Sequence, residues 1–150
     1  MKIVAFMQNP WFPPGTQKRH VELYNTDQDF HRTLLANTMS GKRLKQAFKS
    51  MFDQIYWDNV APAAAEEACG KTDVDIEWVE KVIAQQRPDL ILTFGTLAKD
   101  ALAEAIVPTA CRVMSCHHPN ARFRTQADLD TFAGEVYHYV CTHESVRRSV

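Results

Sequence analysis

The stretch "DLILTFGTLAKDALAEAI" (89–106) decides the fold. Leu90 to Phe94 form an apolar run of strand length without polar alternation. Such a strand has both faces buried, as in a parallel sheet. Gly95 closes the run, and a helical pattern opens at once with Thr96. A strand that feeds directly into a helix is half of a βαβ unit, and the rest of the chain repeats it. "KIVAFMQ" (2–8), "QIYWDNV" (54–60) and "CRVMSCH" (111–117) are further runs of strand length. Three of the four runs lack alternation.

Helical spacing fills the intervals. Phe30, Leu34 and Leu35 recur on one face, then Leu44, Ala47, Phe48 and Met51. "NTMSG" separates these two helices, and Ser40 is the expected cap of the second. Ile76, Val79, Val82 and Ile83 mark another helix, closed by Pro88. Leu129, Phe132, Val136, Tyr139 and Val140 form the stripe of the last one. Alternating strands and helices predict a three-layer α/β/α fold around a four-stranded parallel central sheet.

The 150 residues suit one domain spanning 1–150. A formal net charge of −1 gives no global field toward nucleic acid or membrane, so polyanion binding requires a local patch. The N-terminal run is too short for a signal peptide. No apolar run approaches the about 18–20 residues of a membrane span. A cytoplasmic chain with no membrane partner is expected. Cys69, Cys111, Cys116 and Cys141 form no CxxC pair and are read as reduced structural thiols, with no metal and no cofactor. Nothing in the sequence lowers the pKa of Cys116 enough to make it a nucleophile.

Ligands of an open parallel sheet bind beyond the carboxyl ends of its strands. There the sequence places Gln8, Asn9, Pro10 and Trp11; Asp58 and Asn59; Gly95; and His117, His118, Pro119 and Asn120. Any one of these is an ordinary turn residue. Together they bring amide and imidazole chemistry to one crevice. A planar amide pairs with a base edge, and Trp11, Phe12 and Tyr24 offer flat stacking surfaces. An imidazole donor stabilises a developing anion. Such a site suits a planar heterocycle that leaves as an anion.

These motifs resemble the uracil-DNA glycosylase superfamily. The strand-end motif of that family stands here as "MQNPW" (7–11), its fourth-strand motif as "HPNA" (118–121), and a central segment as "IYWDNV" (55–60). "LILTFGTLAKDAL" (90–102) is similar to its third strand unit. The resemblance implies a uracil-DNA glycosylase-like fold and a glycosylase that flips a base out of DNA. Asn9 would position the water and His118 would stabilise the leaving base. Gln8, Pro10, Trp11, Phe12, Tyr24 and Asn59 would line the base pocket, with Asn59 reading the base edge. Arg122 would plug the gap left by the flipped nucleotide. Met7 departs from the family's glycine, and Asn120 and Ala121 from its serine and proline. The chain has no cysteine before Cys69, so no iron–sulfur cluster is expected.

Lys42, Arg43, Asn120, Arg122 and Arg124 are the expected DNA-binding residues, with Lys18, Arg19, His20 and Lys45 as further cations. "SGKRL" is not a P-loop, because it lacks the upstream glycine and a preceding strand. His31 and Arg32 are placed near a helix start, facing the pocket from below. The expected protein is a monomer that acts on single- or double-stranded DNA and excises uracil or a modified pyrimidine. A weakly active or inactive module for unusual DNA, and a hydrolase of free nucleotides or nucleosides, are the alternatives.

Overall fold

A computed structural model of the protein describes residues 1–8, 17–62 and 73–148, the last four of these by backbone alone. Strands β1 (Ile3–Met7), β2 (Ile55–Asn59), β3 (Leu90–Phe94) and β4 (Arg112–Cys116) match the four apolar runs. All pair in parallel, in the order β2-β1-β3-β4. The chain leaves β1 for β2 on one side and then crosses to β3 on the other. The strand order therefore reverses at the β1/β3 boundary, the place where a crevice forms in such sheets.

Among the described residues there are six α-helices: α1 (Lys18–Thr26), α2 (Gln28–Asn37), α3 (Met39–Phe48), α4 (Ile76–Gln86), α5 (Thr96–Glu104) and α6 (Gln126–Arg148). Alternate residues of the strands supply two cores. Ile3, Ala5, Leu90, Leu92 and Phe94 pack with residues of α2, α3 and α6. Val4, Phe6 and Ile91 pack with residues of α4 and α5. The first core is aromatic. Phe48 meets Trp57, Phe94 and Phe132 edge-on, with centroids 6.1–6.4 Å apart. Edge-to-face contact matches the positive ring edge to the negative face. Among the described residues no helix is long and apolar enough to cross a membrane.

β1 and β3 are fully buried, as their unbroken apolar runs require. β4 differs. It is an edge strand, with Met114 and Cys116 packed inward and Val113 and Ser115 on the uncovered face. The opposite edge, β2, is occupied by a side chain. Gln28 accepts from the Trp57 N–H at 2.6 Å and donates to the Trp57 carbonyl at 3.0 Å. Its amide imitates a neighbouring strand and satisfies that stretch of edge.

The helix starts follow local capping. Asp27 accepts from Phe30 N, and Asp75 from Trp78 N. The cap of α3 is Thr38, not Ser40: the Thr38 hydroxyl accepts from Gly41 N at 3.0 Å. Ser40 lies inside the helix and instead accepts from the Asn120 side chain at 2.9 Å. Both residues are good caps by type. The close approach of α3 to α2 selects the register. A Cβ on Gly41 would stand 1.6 Å from the Leu35 carbonyl oxygen, which is backbone and cannot rotate aside. Segment 18–26 is mostly polar. It forms α1, in which only Tyr24 is buried.

Gly41→Ala is therefore expected to destabilise the protein by about 3 kcal/mol or more, through forced separation of α2 and α3. Urea unfolding measures this, and a change within about 0.5 kcal/mol would show that the two helices are not packed through this contact.

Candidate functional site

The carboxyl ends of the four strands carry the polar groups. On β1, the carbonyls of Met7 and Gln8 accept from Val60 N and Ala61 N, each at 2.9 Å. These bonds carry the parallel pairing one step past the strands and hold Gln8, half-buried, beside the β2 exit. The Met7 side chain lies in the core. Asn9, Pro10, Trp11 and Phe12 lie outside the described residues.

At the end of β2, Asp58 and Asn59 face opposite sides of the sheet. Asn59 is 3% exposed and donates through Nδ2 to the Tyr24 hydroxyl at 3.2 Å. Tyr24 stacks on His31, with ring centroids 3.8 Å apart and planes inclined by 20°. One face of Tyr24 is thus used inside the protein, and its edge fixes the Asn59 amide. His31 is also bonded, with Nδ1 3.0 Å from the Tyr24 carbonyl. Burial pushes the His31 imidazole down to about 4, so it supports Tyr24 as a neutral ring. Arg32 turns instead to Asp29, at 3.2 Å.

Asp58 accepts from Asn59 N at 2.8 Å and from the Trp78 indole at 3.3 Å. Its carboxyl is 2% exposed, and burial pushes it up to about 7. Those two donors oppose the shift only in part. Sequence reasoning noticed Asp58 at a strand end but assigned it no role. Its environment comes from Trp78 on α4, across the sheet from Asn59.

After β3, the chain turns into α5 at Gly95, whose φ of +97 is a region that side chains avoid. The Gly95 N–H donates to the Cys116 carbonyl at 2.9 Å, which ties the β3 and β4 exits together. A Cβ on Gly95 would lie 3.6 Å from Cβ of His118 and 3.8 Å from its Cδ2. Gly95 therefore lets the turn adopt its conformation directly against the imidazole.

His118 is the most defined group of the site. Asn120 N donates to His118 Nδ1 at 3.1 Å. A ring nitrogen that accepts a backbone N–H carries no proton, so the neutral ring holds its proton on Nε2. Burial, followed by the neighbouring His117, pushes the His118 pKa below the ordinary histidine value. The ring is a neutral donor through Nε2. His117 acts on the backbone: its Nδ1 lies 2.8 Å from the His118 carbonyl, and Nε2 is buried with no partner. Burial pushes the Cys116 thiol up to about 11, which leaves it unreactive.

The loop after β4 is anchored to α3. Arg43 donates to the Pro119 carbonyl at 2.9 Å, Asn120 donates to Ser40, and Gln126 donates to the Arg43 carbonyl at 3.0 Å. Two of the expected DNA-binding residues, Arg43 and Asn120, thus brace the His118 loop. Lys42, Arg122 and Arg124 are exposed. Lys18, Arg19 and His20 lie exposed on α1. Sequence reasoning passed over Phe123, which stands between the two loop arginines; an aromatic between two arginines just after a histidine motif was the available signal. Among the described residues no three His, Cys, Asp or Glu side chains gather as metal ligands.

A scan against family models finds no match, and neither does a search of curated proteins.

The Asp58 environment has a measurable consequence. The folded chain keeps its proton up to about pH 7, whereas an unfolded Asp releases it near 3.8. Folding therefore binds a proton between these values. The contribution to stability is complete below about pH 4 and is lost as pH rises through 7. Asp58→Asn should remove that slope, reducing the pH 4 to pH 8 stability difference by on the order of 3 kcal/mol. Denaturant titrations of both proteins across this range measure it; parallel curves would mean that Asp58 is not buried as a neutral acid.

Proposed function

We propose that the chain is a monofunctional DNA glycosylase of the uracil-DNA glycosylase superfamily, which hydrolyses the N-glycosidic bond of uracil or a modified pyrimidine. The observation that carries this reading is the state of His118. It is a neutral imidazole with its donor on Nε2, held by the Asn120 N–H and set against Gly95 at the carboxyl edge of the sheet. A neutral donor suits a base that leaves as an anion, because charge appears on the base only as the bond breaks.

In the proposed reaction the base is extruded from the stack. The bond between C1′ and the pyrimidine nitrogen breaks, and its electron pair leaves with the base. His118 Nε2–H donates a hydrogen bond to the base oxygen that gains negative charge. Water, positioned by Asn9, adds to C1′ and loses a proton, and the base anion is reprotonated. The products are a free base and an abasic sugar. An amide at Asn9 orients water without taking its proton, which fits a dissociative path in which the sugar cation forms before strong attack is needed. Asn59, with its amide anchored by Tyr24, is suited to pair with the Watson–Crick edge of the base.

Oligonucleotides carrying uracil and a range of modified pyrimidines test the reading, with free base measured by chromatography and abasic sites by alkaline cleavage. Release of a base is expected from at least one of them, and His118→Ala should lower that rate by roughly 10²–10³-fold. No product at high enzyme concentration would overturn the reading. Hydrolysis of mononucleotides alone would overturn its DNA component.

A further inference from the structure

Phe123 has no role in the site described above, yet it is the most exposed large apolar side chain among the described residues, at 99%. Its backbone has a φ of +63, the left-handed region in which a Cβ crowds the following carbonyl. Folding gains nothing from burying this ring, and the position would suit Gly or Asn better. Arg122 and Arg124 flank it, both exposed.

The segment that displays these three residues is fixed at both ends. On one side stand the Arg43–Pro119 and Asn120–Ser40 bonds, and the Ala121 N–H donates to the His118 carbonyl at 2.9 Å. On the other, Thr125 and Asp128 cap α6 reciprocally. Thr125 N donates to the Asp128 carboxylate at 2.9 Å, and Asp128 N donates to the Thr125 hydroxyl at 3.3 Å. The exposed ring is therefore held in a set relation to His118, five residues earlier in the same loop.

An exposed aromatic ring with an exposed arginine on either side of it in sequence is complementary to a nucleic acid strand with open bases. The ring stacks on a base of any sequence, and the arginines meet the phosphates on either side. A duplex presents no free base face to a ring unless its stack is first opened. It is also held mainly by many phosphate contacts, which a chain of net charge −1 is poorly equipped to supply. We propose that Phe123, with Arg122 and Arg124, is a stacking platform for an unpaired base, so that the protein selects single-stranded over double-stranded DNA. That the bound strand is also the substrate rests on the glycosylase reading; the platform itself does not.

Fluorescence anisotropy with a labelled oligothymidylate of about 15 nucleotides, alone and annealed to its complement, provides the test. Phe123→Gly is the informative variant, because glycine is at home at this φ and leaves the loop unstrained. Its thermal midpoint should equal or exceed that of the wild type. Its affinity for the single strand should fall by roughly tenfold or more, with duplex affinity changed by about twofold at most. Phe123→Trp should retain single-strand binding, and its added emission should be quenched on binding. The proposal is overturned if the wild type does not favour the single strand, or if Phe123→Gly binds it as the wild type does. An equal loss on duplex would also overturn it, and would make Phe123 a duplex wedge instead. Base release is scored separately on the same oligonucleotide containing uracil or a modified pyrimidine. Phe123-dependent single-strand binding with no base released would remove the glycosylase reading and keep the platform. Base released equally from both forms, and unaffected by Phe123→Gly, would do the reverse.

Discussion

The backbone N–H of Asn120 points at Nδ1 of His118 from 3.1 Å, and the site is organised around that bond. It fixes which ring nitrogen carries the proton. It also requires the chain to fold back two residues after the histidine, a turn that the Ala121–His118 backbone bond closes. The turn would be a weak device on its own, since exposed loops open readily. Here it is clamped to α3 by Arg43 and Ser40, and α3 is in turn pressed on α2 at Gly41. The protonation state of one imidazole thus depends on helix packing on a single face of the sheet. Mutations along that route should act on the site through geometry, without contacting a ligand.

The two faces of the sheet divide the work. The face that carries the aromatic cluster of Phe48, Trp57, Phe94 and Phe132 also carries Leu35 of α2 and Leu44 of α3. The other face, under α4 and α5, holds Asp58 with Trp78. Asn59 stands on the first face and Asp58 on the second, one residue apart on β2, so the same strand end holds an anchored amide and a buried acid. β1 lies between β2 and β3, and the strand order reverses at the β1/β3 boundary.

β1 and β3 were legible because burial on both faces of a parallel sheet demands unbroken apolar runs, and five of the six described α-helices because packing on the sheet demands a stripe. α1 was not, since a helix that buries only Tyr24 leaves almost no apolar pattern. The cap of α3 was misplaced by two residues because Thr38 and Ser40 are equivalent as residue types. The Asn120 contact and the Gly41 packing that separate them come from elsewhere in the chain. The candidate site divides in the same way. The residue types at the strand ends could be listed from motifs alone. The tautomer of His118, the anchoring of Asn59 by Tyr24 and the proton on Asp58 depend on partners 2, 35 and 20 residues away. That Arg43 reaches the Pro119 carbonyl and Asn120 reaches Ser40 is likewise not visible from residue type, because each partner lies 76 or 80 residues away.

The ionisable groups near the crevice are pushed toward neutrality from both directions. Burial holds His118 below its ordinary value and Asp58 well above its own. His31, beneath Tyr24, is held neutral as well. A cationic histidine would attract phosphates and other anions toward the strand ends, which a neutral donor does not. Burial thus favours the uncharged form of both His118 and Asp58. Exposed cations lie on α3 and on the loop of Arg122 and Arg124. Under the proposed function that arrangement would keep phosphates at these cations while one neutral ring meets His118.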